Sequence, residues 1–138
     1  MTKNILDGCT HLQELIPVVV AKFNSRYGSN TTAKVGEVLR TTADQQAKYA
    51  QGRTAPGGIV TFADGVRTLS THQAQTFHGE TCSHACDIDL FDNISGRYIT
   101  TAQSYYPLIG ICAVVGLYSG GDWLRPDFPH AYCVESKA

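Results

Sequence analysis

Asp127 and His130 stand three residues apart in the stretch Gly120-Gly121-Asp122-Trp123-Leu124-Arg125-Pro126-Asp127-Phe128-Pro129-His130-Ala131-Tyr132. A carboxylate and an imidazole at that separation can divide the work of hydrolysis, the imidazole holding a metal ion while the carboxylate moves a proton. Pro126 and Pro129 exclude a regular helix, and Phe128, preceding a proline, is biased toward extended backbone. The two side chains cannot converge by helical turn, as they do in H-E-x-x-H, a motif the chain lacks. A rigid bend running into a strand has to aim them. The competing reading of the same residues is a Gly-Gly-Asp-Trp surface turn covering a buried Trp123.

The elements that would position this bend can be read from periodicity. His130, Tyr132 and Val134 share one face of a closing strand, with Trp123 expected to pack beneath the site. Ala85-Cys86-Asp87-Ile88-Asp89-Leu90-Phe91 alternates as a strand should, placing Cys86, Ile88 and Leu90 on a core face and Asp87, Asp89 and Phe91 on the other. Leu12, Leu15, Ile16, Val19, Val20 and Phe23 recur at helical spacing. Thr10 and Gln13 suggest a capping box for that helix, Pro17 a kink or a late start, and Gly28 its end. A strand within Thr31–Leu39 hands over to a helix with a second capping box at Thr42-Ala43-Asp44-Gln45. Ile59–Phe62 reads as a short strand, and Val66–His84 as a loop carrying His72, His78 and His84. Asp92–Gly96 forms a hairpin turn into Arg97–Thr100. A helix around Pro107 carries Leu108, Ile111, Cys112 and Val115 to a stop at Gly116. The sum is an α+β domain, a small antiparallel sheet backed by helices, with a cleft on the free sheet face.

The string from Gly120 to Tyr132 resembles the G-G-D-W-x(n)-D-x-P-H-F/Y signature of the zinc peptidases that include D-alanyl-D-alanine carboxypeptidases and bacteriophage L-alanyl-D-glutamate endopeptidases. Gln45 to Thr54 is similar to phage endolysins of that family. The resemblance implies that Asp127 is the general base, that His130 ligates Zn²⁺, and that Arg40 binds a substrate carboxylate or the oxyanion. The competing reading of Arg40 is an ordinary ion pair. The family's S-x-H-x-x-G-x-A-x-D pattern, which supplies the other two ligands, is met at its start by Ser70-Thr71-His72 and at its end by Ala85-Cys86-Asp87. Between them lie about eight extra residues, and Ser83 replaces the glycine. Loop-closure entropy rises slowly with length, so an insertion is compatible with a site. Asp87 is then the second ligand, and the first is His72, ahead of His78 and then His84, which in a straight strand points away from Asp87. A separate soft-metal cluster of Cys82, His84 and Cys86 is disfavoured, because alternating strand residues cannot wrap one ion.

What the resemblance implies for function is hydrolysis of the L-alanyl-D-glutamate bond of the peptidoglycan stem peptide by a phage-type endolysin, acting on the wall after holin-type release. The alternatives are removal of a terminal D-alanine, or a zinc- or wall-binding module without catalysis. Composition narrows the field independently. The 138 residues suit one domain, residues 1–138, expected to be a monomer. A net charge of −1 with 17% charged residues offers no field for nucleic acid or an anionic membrane. Apolar runs fall short of the roughly 20 residues that span a bilayer, so no membrane insertion is expected, and the first residues lack a signal-peptide core. Five scattered cysteines, Cys9, Cys82, Cys86, Cys112 and Cys133, are expected to be mostly reduced.

Overall fold

A computed structural model describes residues 1–134. Helix α1 (Thr10–Tyr27) turns Leu12, Ile16, Val19 and Phe23 inward, the stripe its periodicity requires. It starts at Thr10 and includes Pro17, so the late start, one of the two expectations for Pro17, does not occur; packing of the stripe outweighs the hydrogen bond lost to the ring. The expected capping box does not form. Cys9 occupies the cap position with no side-chain bond. Gln13 Nε2 donates back to the carbonyls of Leu6 and Gly8, and the amide of Thr10 donates to the Glu80 carboxylate at 2.9 Å. The helix start is capped by a residue seventy positions away.

Strand β1 (Thr31–Val35) leads into α2 (Thr42–Ala50), capped by Thr41, whose hydroxyl accepts from the Asp44 amide one residue earlier than the expected box. Ile59–Phe62 is not a strand. Its side chains find no buried partner surface: Ile59, Val60 and Phe62 stay exposed, with the guanidinium groups of Arg53 and Arg125 over the Phe62 ring. The expected loop at Val66–His84 contains a hairpin, β2 (Gln75–Phe77) and β3 (Glu80–Cys82), turning through His78 and Gly79 at positive φ.

The chain is organised on β4 (Ala85–Asp92). One edge of it pairs with β1, from Val35↔Ile88 to Thr31↔Asp92. The other is shared: β5 (Arg97–Tyr98) takes the C-terminal half, and β7 (His130–Tyr132) takes the half from Ala85 to Asp87. Strand β6 (Tyr118–Ser119) completes the antiparallel sheet beyond β7. Between β5 and β6 lies α3 (Ala102–Val115), ended by Gly116 at φ 92°, a left-handed cap that glycine takes without a Cβ penalty.

Cys86, Ile88 and Leu90 are fully buried against Leu12, Ile16 and Val19 of α1 and Tyr105 and Leu108 of α3. Each large side chain so buried contributes about 1.5–3 kcal/mol of transfer free energy. Alternation then sends Asp87 and Asp89 to the opposite face. The α+β architecture, a small antiparallel sheet backed by helices, is that expected from the sequence. Among the described residues no helix is long and apolar enough to cross a membrane.

Candidate metal centre

Pairing of β4 with β7 sets Asp87 directly opposite His130. The bend preceding β7 is fixed by backbone bonds: the Asp127 amide donates to the Gly120 carbonyl at 2.9 Å, and the His130 amide to the Asp127 carbonyl at 3.3 Å. Gly120 is required by close approach, because a Cβ there would stand 2.6 Å from the Asp127 carbonyl oxygen and 2.9 Å from the His130 Cβ. Trp123 packs its ring 4.8 Å from that of His130 and donates from Nε1 to Tyr132 Oη at 3.1 Å. It buttresses the imidazole, as its position in the sequence suggested.

His72 reaches the same point by a different route. Its segment lies along the extension of β1, the Arg40 amide donating to the His72 carbonyl at 2.9 Å, and along the start of β4, the His84 amide donating to the Thr71 carbonyl at 3.0 Å. The residues that interrupt the expected spacing between His72 and Asp87 are those of the hairpin, Gln75–Cys82. Its two strands pair in register from Gln75↔Cys82, so the insertion leaves and rejoins the chain at nearly one place. Excised, it leaves His72-Gln73-Ala74 followed by Ser83-His84-Ala85-Cys86-Asp87, the uninterrupted spacing. His78, at the hairpin tip, is exposed, and His84 turns away toward Cys133 and the Gln75 carbonyl. Of the three histidines considered, His72 is the one brought to Asp87 and His130.

The donor atoms converge. His72 Nε2 lies 3.1 Å from Asp87 Oδ1 and 3.1 Å from His130 Nδ1, which is 3.5 Å from Asp87 Oδ1. His72 and His130 are almost wholly buried. Their outer nitrogens are engaged: His72 Nδ1 lies 2.9 Å from the Val38 carbonyl, which can only accept, and His130 Nε2 lies 3.0 Å from the Thr71 hydroxyl. The carbonyl assigns the His72 proton to Nδ1 and leaves Nε2 bare. With the His130 proton on Nε2 toward Thr71, three lone-pair-bearing atoms face one another at about 3 Å. That is repulsive without a cation or an extra proton between them and is the donor set a borderline cation such as zinc takes. Burial alone would raise the pKa of Asp87, but where extra protons on the imidazoles take the place of a cation, hydrogen bonds and charge from His130 and His72 outweigh it and hold the carboxyl far below the usual range.

Asp127 lies in the field of this group at the exposed rim. Although the residue as a whole stays exposed, loss of hydration at its carboxyl and then the Asp87 charge push it above the ordinary value, with His130, His72 and Arg40 opposing. Arg40 is largely committed: Nε and Nη2 donate to the two Glu37 carboxylate oxygens at 2.6 and 2.9 Å, and Nη1 to Gln45 Oε1 at 2.6 Å. Burial raises the Glu37 pKa, but the Arg40 bonds and charge exceed that effect and lower it overall. Glu37, the Val38 carbonyl and Thr71 were not recognisable in the sequence as parts of the site. A carbonyl carries no residue signature, and the role of Thr71 depends on His130, distant in the chain.

No protein-family model matches the sequence. In overall structure the chain is similar to the L-Ala D-Glu endopeptidase ChiX of Serratia marcescens, with a TM-score of 0.55 and 18% identity over 96% of this chain and 84% of that one. At that identity the likeness concerns the fold.

Proposed function

We propose that the chain is a zinc-dependent peptidase of peptidoglycan that hydrolyses the L-alanyl-D-glutamate bond of the stem peptide, a single catalytic domain of endolysin type. The observation that carries this reading is the convergence of His72, Asp87 and His130 donors beside Asp127, on a fold similar to that of an L-Ala D-Glu endopeptidase. His72, Asp87 and His130 would hold the ion. Zinc in such a site supplies Lewis acidity, polarising the scissile carbonyl and acidifying water.

The chain's own residues do the rest. Asp127 accepts the proton of the attacking water and returns it to the leaving amine, the reversal that general-base catalysis implies. Arg40, with one Nη2 hydrogen beyond its bonds to Glu37 and Gln45, steadies the anion that develops on the substrate. The Val38 carbonyl and Thr71 hold the two imidazoles in the orientation that presents bare nitrogens to the ion. The enzyme acts as a monomer, made in a host cell and released to the wall through a holin-type opening.

Digestion of purified peptidoglycan with and without a chelator, followed by mass spectrometry, tests the proposal. New amino-terminal glutamate that chelation prevents is expected. Free D-alanine would transfer the reading to a carboxypeptidase, and no release from walls of several stem-peptide chemistries would leave a binding module. Asp127→Ala is expected to abolish release with zinc content unchanged; full turnover in that variant would remove Asp127 from the mechanism.

A further inference from the structure

A second group of metal-binding side chains lies apart from the first, at the seam where the two ends of the described chain meet. Cys9 stands at the start of α1, His84 just before β4, and Cys133 just after β7. Their donor atoms all lie within 4.8 Å of one another. The two sulfurs are 2.9 Å apart, and Cys133 Sγ is 3.8 Å from His84 Nδ1. Cys9 and His84 are each 2% exposed, so little water reaches them to satisfy an unpaired group. The other ring nitrogen, His84 Nε2, lies 2.9 Å from the Gln75 carbonyl, which can only accept. That bond assigns the proton to Nε2 and turns a bare Nδ1 toward the two sulfurs, the same arrangement that the Val38 carbonyl imposes on His72. The backbone supports the junction, with the Cys9 amide donating to the Ser83 carbonyl at 2.9 Å and the Cys133 amide to the His84 carbonyl at 3.1 Å.

We propose that Cys9, His84 and Cys133 form a second metal site, for a thiophilic cation with zinc foremost, which fastens the start of α1 to the sheet where β4 and β7 pair. Thiolate and imidazole together select zinc and similar soft or borderline ions over magnesium or calcium. In a tetrahedral zinc site, sulfur and nitrogen ligands at about 2.3 and 2.0 Å stand about 3.5 to 3.8 Å apart, close to the Cys133–His84 separation. The sulfur pair would open by roughly 0.9 Å to reach the spacing of two thiolates on one ion. Binding releases the two thiol protons. Cys9, His84 and Cys133 line a cleft together with His11 and Glu80. A Cys9–Cys133 disulfide is the rival use of the same sulfurs. It would remove the thiol protons of Cys9 and Cys133 that face His84 and leave a buried acceptor unpaired, a cost of about 1–3 kcal/mol.

Cobalt separates this site from the proposed catalytic one, because only this one contains sulfur. The purified full chain loaded with Co²⁺ is expected to show a near-ultraviolet thiolate-to-cobalt charge-transfer band. The band should persist in His130→Ala and disappear in the Cys9→Ser/Cys133→Ser double variant. Zinc content by plasma mass spectrometry should be two per chain, falling to one in either variant. Absence of the band at saturating cobalt in the unaltered protein, or its persistence in the double variant, would overturn the site. So would three rather than five reactive thiols in denaturant without reductant, the mark of a disulfide. The wild-type band and thiol count decide the matter even where a variant fails to fold. Either site can fail without the other.

Discussion

The His72/Asp87/His130 group and the Cys9/His84/Cys133 group are built on one device and differ in what surrounds it. In each, a nearly buried imidazole spends one nitrogen on a backbone carbonyl, Val38 for His72 and Gln75 for His84, and presents the other bare. In each, β4 and β7 bring residues from distant parts of the chain together. The first group adds a carboxylate and a second imidazole, with Asp127, the proposed proton carrier, at the exposed rim. The second adds two thiols, in a cleft that His11 and Glu80 also line. The difference teaches that the second shell makes a ligand, whereas the third residue and access to the rim decide whether chemistry can follow.

Breaking the proton-moving side of that contrast should have the largest effect. Asp127→Asn is expected to lower peptidoglycan cleavage by about 10²–10⁴-fold, the range typical of a lost general base, with zinc content unchanged. Because the proposed role requires Asp127 to be ionised, wild-type activity should fall as pH drops through the titration of its carboxyl. A pH–rate profile whose acid limb is unchanged in Asp127→Asn would assign that limb to another group.

Next in size is geometry. Gly120→Ala puts a Cβ 2.6 Å from the Asp127 carbonyl oxygen, so the bend must shift. A displacement of about 1 Å costs on the order of 10²-fold in rate when positioning matters. Turnover should fall while the cobalt–thiolate band at the other site stays intact.

Glu37→Gln sharpens the comparison at the support of the first site. The Glu37–Arg40 pair is nearly buried, and leaving Arg40 without its carboxylate should cost about 3 kcal/mol in urea unfolding. The folded-state pKa of Glu37 is depressed, so the wild-type pair stabilises fully above the unfolded carboxylate value of about 4.3. That contribution is lost as pH falls through the folded value. The gap between wild type and Glu37→Gln should therefore close in acid, and a gap that holds down to full protonation would refute the pairing.

Glu80→Gln should have the smallest effect. It removes the carboxylate charge at the start of α1, beside Cys9. A slight fall in thermal midpoint with unchanged peptidoglycan cleavage is expected, and lost cleavage would tie the hairpin to catalysis.

Much of this was legible before the structure. Alternation in Ala85–Phe91 assigned Cys86, Ile88 and Leu90 to the core and Asp87 to the open face, because a strand has period two wherever one face is buried. Two prolines around Asp127 and Phe128 fixed the bend because they restrict backbone locally. The misreadings share a cause. Ile59–Phe62 has β-like composition but no neighbouring edge to pair with, and the hairpin at Gln75–Cys82 has short strands that pair only with each other. Thr10 and Gln13 matched a capping pattern whose role distant Glu80 took.

The sequence by itself determined the residue types able to do chemistry, the bend that aims Asp127 and His130, and the faces of the long strand and the first helix, all properties of backbone restriction and local periodicity. Only the tertiary structure decided which histidine joins Asp87, that the extra residues fold aside as a hairpin, and that Cys9 meets Cys133 from the opposite end of the described chain. Those depend on contacts between distant segments, fixed by strand pairing and core packing, for which spacing along the chain carries no signal.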